Sequence, residues 1–376
     1  MRSATSQHHH SSHNAIKYGG SSINIIYNPH HIINYYTISA KITTTQNHIQ
    51  KSPHVHQNFN MATNAEANRR YFDSISDSYD SKPWFAKVNA QVTDTLRSRL
   101  DWLGVPFVNT GASNDAKEVK FLDYACGTGL MTRALGPYVT VTRGIDISPN
   151  MVSTYNNRMT STGLSPDTVH AVNGDLFDKS NPKPAGLAGP EWHDFDIAAV
   201  GFGFHHFEDV VHSARQLKER LRPGGVLVIN DFLEGGDVKA DEEGNPIEGT
   251  AGNHAVHKHG HDHKHGDDGT HKHGHHHGHD HGHLHDHGHS HEQPTKHDVG
   301  ESSPEFKQKM AASIVVPHFT IDGVKKFFTE AGFVDVDVIT LDERSYMEFA
   351  GKKLWRTVLV AKGRRPLETG GEKSEL

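Results

Sequence analysis

The stretch Phe121-Leu-Asp-Tyr-Ala-Cys-Gly-Thr-Gly-Leu-Met-Thr-Arg-Ala-Leu135 constrains this chain more than any other part of it. A short apolar run ends in an acid, turns through Gly127-Thr128-Gly129, and resumes with apolar Leu130, Ala134 and Leu135. That pattern reads as a strand, a glycine turn and a helix, the usual cradle for a nucleotide-like ligand. Gly127 and Gly129 permit backbone angles that a Cβ forbids and allow a ligand to come close. The first N–H groups of the following helix lack partners within it and point at whatever anion sits there.

The residues around the loop narrow the ligand. A dinucleotide fingerprint reads G-x-G-x-x-G, with an acid about 20 residues on for the ribose. Here Thr132 stands in place of the third glycine. Asp123, just ahead of the loop, would oppose a pyrophosphate but suits a ligand carrying an ammonium group. Asp146 closes the next apolar strand, Val139-Thr-Val-Thr-Arg-Gly-Ile-Asp146, placed to accept hydrogen bonds from ribose hydroxyls. A ligand with a ribose, a carboxylate and an ammonium group is wanted, and S-adenosyl-L-methionine has all three.

Further segments follow in a telling order: Gly174-Asp175-Leu176, Phe195-Asp-Ile-Ala-Ala-Val-Gly-Phe-Gly-Phe-His-His206, and Leu221-Arg-Pro-Gly-Gly-Val-Leu-Val-Ile229. With the Asp123–Gly129 loop and the acid at 146, the chain resembles a class I S-adenosylmethionine-dependent methyltransferase over roughly residues 61–364. It is most similar to a small fungal methyltransferase-like subset. Tyr71-Phe-Asp-Ser-Ile-Ser-Asp-Ser-Tyr-Asp80 resembles that family's lead-in helix. The resemblance implies an α/β fold: a Rossmann-like, doubly wound, seven-stranded and mostly parallel sheet with a terminal antiparallel hairpin. It implies that backbone groups of Ala125, Cys126, Gly127, Thr128 and Gly129 hold the methionine end, with Asp123 near its ammonium. Asp146 would hold the ribose and Asp175, with Leu176, the adenine, and Ile147, Val200 and Gly201 would also belong to the cofactor site. Met151, one turn into the next helix, packs on the adenine or in the core.

Groups for the chemistry itself come from the same sheet edge. His205 and His206 follow the fourth strand, where open α/β sheets bind ligands. An imidazole there can take a proton from a hydroxyl or amine, since its ordinary pKa of about 6.5 suits both forms. The alternative is a packed or capping pair ahead of the next helix. Gly201 stands where many relatives carry a polar residue, so no side chain there orients an amine. Trp84, Phe85, Phe202, Phe204 and Phe207 are candidates for an apolar acceptor pocket, some of them core. His318 lies in the loop ahead of the last helix, where the family often closes over its acceptor. Cys126, the single cysteine, reads as structural, because displacement at a sulfonium needs no enzyme nucleophile.

Alternating strands and helices begin at Val119. The expected helices are 62–80, 83–103, one opened by Ser148-Pro149, 209–221 and 320–331. The strands after that of Asp146 are 169–172, 196–200, 226–230, 334–341 and 354–361. Residues 1–60 contain no Asp or Glu and no sustained apolar period, and read as a disordered extension or a misassigned start ahead of Met61. Residues 235–300 read as a disordered Gly/His/Asp insertion, and 365–376 as a disordered tail. Setting the first two aside leaves about 250 residues, enough for one α/β domain with a full core.

Between His254 and His297 lie 19 of the chain's 34 histidines. Imidazoles at this density bind divalent metals, but a defined site needs fixed ligands with outer partners. A tolerated low-complexity insertion is therefore the leading interpretation of the tract. The formal charge of -7, with no basic stripe, argues against a nucleic-acid partner. No apolar run reaches the ~18 residues that would cross a bilayer. A lone cysteine suits a reducing compartment, pointing to the cytoplasm, or to mitochondria if residues 1–60 act as a leader. The expected function is methyl transfer from S-adenosyl-L-methionine to a small, partly apolar acceptor by in-line displacement. Protein or tRNA methylation, or a non-catalytic metal-binding role for the His tract, are the alternatives. Oligomeric state is not legible.

Overall fold

The computed structural model describes residues 17–18, 21–22, 63–110, 118–254, 303–349 and 351–368. The chain divides into two units, residues 1–59 and 60–376. In the first, the described residues form one short antiparallel pair, β1 (Lys17–Tyr18) with β2 (Ser21–Ser22). All further elements belong to the second.

Strands covered on both faces read as continuous apolar runs, and the sheet is built on them. At its centre β3 (Lys120–Tyr124) and β6 (Phe195–Gly201) are almost wholly buried. With β4 (Val141–Asp146), β5 (Val169–Asn173) and β7 (Leu221–Phe232) they form five parallel strands. The complete order is β5-β4-β3-β6-β7-β12-β9, where β12 (Val358–Arg364) runs antiparallel to β7 and to β9 (Val334–Thr340). This is the expected seven-stranded, mostly parallel sheet with an antiparallel close.

Side chains alternate across the sheet with period two, so neighbouring residues feed different cores. Leu122, Ala198 and Leu227 pack under α6 (Val210–Lys218) and α8 (Ile321–Glu330). Phe121, Ile197 and Val228 pack under α2 (Pro83–Arg97) and α4 (Leu130–Leu135). Helix α2 presents Val88, Val92 and Leu96 at four-residue spacing, each nearly without exposure. Burying three such side chains stabilises the fold by about 1.5–3 kcal/mol each. Helix starts follow capping chemistry. Ser148 caps α5 (Pro149–Ser161), Asp209 caps α6 and Thr320 caps α8, each by accepting from a backbone N–H three residues on. The long helices expected at 62–80 and 83–103 are shorter: α1 (Asn64–Ile75), α2, and a separate turn α3 (Leu100–Leu103).

Three differences from the sequence pattern matter. First, the run 354–361 is not one strand. Lys352–Arg356 (β11) pairs with β10 (Ser345–Phe349) and β8 (Val238–Lys239) in a separate three-stranded sheet, and the chain enters the main sheet at Val358. Leu354, Val358 and Leu359 are all buried, so hydrophobicity carries no break at the boundary. Second, residues 235–254 are folded rather than disordered. Asp237, fully buried, accepts from His318 Nε2 (2.7 Å), Arg356 Nε (2.9 Å) and the His254 N–H (3.1 Å). Its partners lie far away in sequence, which is why local composition gave no hint of order. Third, α7 (Pro304–Ser313) follows the insertion, capped by Ser303. Residues 255–302, and with them the His tract beyond His254, lie outside the described residues, as do Met61, the tail from 369 and nearly all of 1–60.

Candidate active site

The loop after β3 sets the site. Ala125, Gly127 and Gly129 all take positive φ, at 53°, 49° and 94°. At Gly129 a Cβ would lie 2.9 Å from Met159 Cε and 3.2 Å from the Tyr155 ring, so glycine is required by packing. Gly127 differs: nothing lies within 4 Å of where its Cβ would be, leaving backbone and open space side by side. The loop is held from behind. Thr128 O accepts from Arg133 Nη1 (2.7 Å) and Arg158 Nη1 (3.0 Å), and Arg158 also pairs with Asp80. The Cys126 side chain packs with Tyr155, Met159 and Ala171, and burial pushes its thiol well up, so it is structural as expected.

Two buried acids flank this loop. Asp146 Oδ2 accepts from Gly127 N–H (2.8 Å) and Oδ1 from Ser148 N–H (2.9 Å). Burial outweighs these bonds and, helped by Asp73, lifts its pKa to about 6. Asp73 comes from α1 and accepts from Ser148 Oγ at 2.6 Å. Asp123 is more deeply placed. Its Oδ2 takes both the N–H (2.9 Å) and the hydroxyl (2.7 Å) of Thr132, and burial pushes its pKa to about 7 despite them. These bonds clamp the end of β3 to the start of α4. The expected contact with a ligand ammonium finds no counterpart in them.

Two cavities open at this edge. The larger, about 480 Å³, falls in the range of cofactor pockets. Ala125, Ile147, Asp175 and His206 line it together with Tyr124, Phe177 and Phe207. Phe177 lies between two rings, 4.4 Å from Tyr124 and 4.8 Å from Phe207. Asp175 Oδ1 accepts from the Tyr124 hydroxyl (3.1 Å) and Phe177 N–H (2.8 Å). The Leu176 N–H donates to that same hydroxyl at 3.1 Å, so the expected backbone donor toward adenine is already committed. A cluster of tilted and edge-on aromatic side chains with a carboxylate beside it offers apolar surface and an acceptor to a ring carrying an amino group.

The smaller cavity, about 150 Å³, is walled by Phe72, Tyr79, Trp84, Phe85, Phe202 and Phe232. His205, His206 and Arg356 also border it, and His206 is the residue common to both cavities. His205 Nδ1 lies 2.9 Å from Asp231 Oδ1, and that fully buried carboxylate also accepts the backbone N–H of His205 (3.1 Å) and of Phe232 (2.9 Å). His206 Nδ1 lies 2.8 Å from Ser313 O, which can only accept, so this nitrogen carries the proton. Burial first, then the neighbouring His205, hold the His206 pKa well below its ordinary value, and the ring is neutral. Arg356 lies with its guanidinium carbon 3.5 Å from the Phe232 ring centre.

The sequence-derived residues thus separate. Ala125, Ile147, Asp175 and His206 meet at the large cavity, His205 at the small one, and Gly127 and Asp146 stand bonded behind. Met151, Leu176 and Val200 are core. Gly201 faces Met131, whose Cγ would lie 3.0 Å from a Cβ there, with Asn230 Oδ1 at 3.4 Å. Of the aromatic candidates, Trp84, Phe85 and Phe202 line the small cavity, Phe207 the large one, and Phe204 is core. His318 is tied to Asp237 and lines neither cavity. Tyr124, Asp231 and Arg356 escaped the sequence reading. Asp231 alone left a signal, an acid ending β7 at the same carboxyl edge. Among the described residues no group of His, Cys, Asp or Glu could hold a metal, and no helix is long and apolar enough to cross a membrane.

Residues 122–227 match the family described as a methyltransferase domain. An uncharacterized methyltransferase of Schizosaccharomyces pombe is 30% identical over 122 residues, 32% of this chain and 41% of that protein. A demethylmenaquinone methyltransferase of Staphylococcus aureus is 28% identical over 169 residues, 44% of this chain and 60% of that one. The chain therefore spans less than two thirds of either relative's length. A solved N-methyltransferase, NodS of Bradyrhizobium japonicum in complex with S-adenosyl-L-homocysteine, aligns over 80% of this chain and 99% of its own. Its identity is 13% and its TM-score 0.42.

Proposed function

We propose that this chain, whose residues 122–227 match a methyltransferase domain, transfers a methyl group from S-adenosyl-L-methionine to a small, partly apolar acceptor. The observation that carries the reading is the pair of cavities sharing His206, one sized and lined for a nucleoside-like ligand and the other aromatic. A two-substrate displacement needs such adjoining sites.

The residues fit the cofactor. Gly127 offers backbone beside open space for the amino-acid end. Asp146 has spent two of about four lone-pair positions on N–H groups and keeps the others for ribose hydroxyls. Ile147, Phe177 and Phe207 offer an apolar slot for the ring, and Asp175 a carboxylate for its amino group. When bound, S-adenosyl-L-methionine supplies a methyl group on a positively charged sulfur, open to displacement by a lone pair. The protein's part is proximity, alignment and exclusion of water, which are worth several kcal/mol of the barrier. The aromatic wall supplies the exclusion, and His205 with Asp231 supplies a place for a proton.

Calorimetric titration with S-adenosyl-L-homocysteine tests the reading. Binding in the micromolar range, lost or strongly weakened in Asp146→Ala, is expected; no binding, or the same binding in the variant, refutes it. An extract incubated with radiolabelled cofactor should carry label in its small-molecule fraction. Label confined to protein or RNA would overturn the acceptor class.

A further inference from the structure

The smaller cavity has features that a general apolar pocket does not need. Its volume of about 150 Å³ matches that of a dry apolar cavity known to take up benzene, so one aromatic ring fills its walled part. Its walls are mostly aromatic: Phe72 meets the His206 ring edge-on at 5.0 Å, and Phe202 stacks on Phe232 at 5.0 Å. Flat side chains that pack by face and edge favour a flat guest.

Polar atoms on this wall are specific in kind. Both histidines have Nδ1 engaged within the protein, His205 with Asp231 and His206 with Ser313 O. In each ring this leaves Nε2 to meet a ligand, and in His206, whose neutral ring holds its proton on Nδ1, that atom can only accept. The two ring centres are 4.0 Å apart, so both rings face the same part of the cavity. A guest with a hydrogen-bond donor satisfies this wall. Only His205 has a buried carboxylate behind it to stabilise a positive ring once a proton arrives. The wall also contains Arg356, buried, lying over the Phe232 face and paired with the Asp237 carboxylate.

Resting on the methyltransferase reading above, we infer that this cavity takes a monocyclic hydroxyarene, with His205 as acceptor of its hydroxyl proton and Asp231 as the residue that positions His205. In the reaction the O–H bond breaks and its proton goes to His205 Nε2. The oxygen lone pair takes the methyl group, and the electron pair of the broken S–CH₃ bond stays with sulfur. Asp231 keeps Nδ1 protonated, so that Nε2 is the basic atom.

The test is binding to protein saturated with S-adenosyl-L-homocysteine, using phenol, toluene, aniline and 2-naphthol as probes. Phenol should bind about tenfold more tightly than toluene, the worth of one hydrogen bond to the imidazole. Aniline and 2-naphthol should both bind more weakly than phenol. His205→Phe and His205→Asn should each bring phenol and toluene to within about threefold of one another while keeping affinity for S-adenosyl-L-homocysteine. The imidazole Nδ1–H proton resonance of His205 should stand far downfield, move when phenol is added, and collapse into exchange with water in Asp231→Asn. The inference is overturned if phenol shows no preference over toluene, if aniline or 2-naphthol matches it, or if the preference survives both His205 variants. Failure of S-adenosyl-L-homocysteine to bind the wild type would instead refute the parent reading.

Discussion

Replacing Asp146 by asparagine should weaken S-adenosyl-L-homocysteine binding by about a hundredfold and remove most of its pH dependence below pH 6. Burial lifts the carboxyl from 3.8 to about 6, a cost to the ionised form of about 3 kcal/mol at 1.36 kcal/mol per unit. Ribose hydroxyls donating to the two remaining lone-pair positions would recover much of it, since hydrogen bonds to a charged acceptor contribute about 1.5–3 kcal/mol each. A total near 3 kcal/mol corresponds to somewhat more than a hundredfold in affinity. The amide cannot substitute, because its NH₂ must face either the Gly127 or the Ser148 N–H, donor against donor. The sign of the pH effect follows from linkage. The ligand prefers the ionised carboxylate, so the ligand-bound pKa falls below 6. Wild-type affinity should then rise with pH up to about 6 and level off above it. Asp123, pushed to about 7 chiefly by burial and also by the Asp146 charge, titrates in the same window, so the comparison is repeated in an Asp123→Asn background to isolate Asp146. Calorimetry at about pH 5, 6 and 7.5 and constant ionic strength measures both. Parallel curves, or a variant within about threefold of wild type, would refute the assignment of Asp146 to the ribose.

Asp123→Asn should make folding stability less dependent on pH: a carboxyl raised to about 7 contributes stability at low pH that is lost as pH rises from 3.8 through 7, up to about 4 kcal/mol, and urea titrations across that window measure the difference. Tyr124→Phe removes the hydroxyl that accepts from the buried Leu176 N–H and should cost about 1–3 kcal/mol, read as a lowered melting temperature with no change in secondary structure. Asp237→Ala leaves Arg356 and His318 buried without their carboxylate and should destabilise by about 3–5 kcal/mol in denaturant unfolding. Excising residues 256–301 with a short Gly/Ser bridge should preserve melting temperature and S-adenosyl-L-homocysteine affinity and abolish retention on a nickel column.

The parts of this molecule that were legible beforehand are those where local chemistry leaves one solution. Apolar runs placed the central strands β3, β6 and β7, alternation marked β9, and the run 354–361 merged two strands of different sheets, while Ser148-Pro149 gave both a cap and a first helical turn. The loop at 125–129 was legible because alternating left-handed residues need glycine at 129, where a Cβ would strike Met159. Asp237 was illegible for the opposite reason, and Asp231 offered only its place at the end of β7. Each is explained only by partners distant in sequence, Arg356 and His318 for one and His205 for the other. Asp123 and Leu176 show a subtler limit. Both lie at the sheet's carboxyl edge, where the structure engages the Asp123 Oδ2 with Thr132 and the Leu176 N–H with Tyr124.

Helix α1 links these levels, since it touches every part of the site. Its Asp73 accepts from Ser148 Oγ, directly behind the carboxylate assigned to the ribose. Its Asn64 and Asn68 amides donate to His206 O at 2.7 and 3.1 Å, fixing the backbone of the residue shared by both cavities. Phe72 meets the ring of that same histidine, and Tyr71 lies 5.7 Å from Phe306 on α7, whose Ser313 carbonyl holds His206 Nδ1. The sheet edge alone would present an open glycine loop and two exposed acids. With α1 and α7 across it, the edge becomes two cavities with a common neutral imidazole between them. The smaller cavity thus joins His205 and Asp231, from the sheet's own edge, with a cover of side chains from helices on either side of the sheet in sequence.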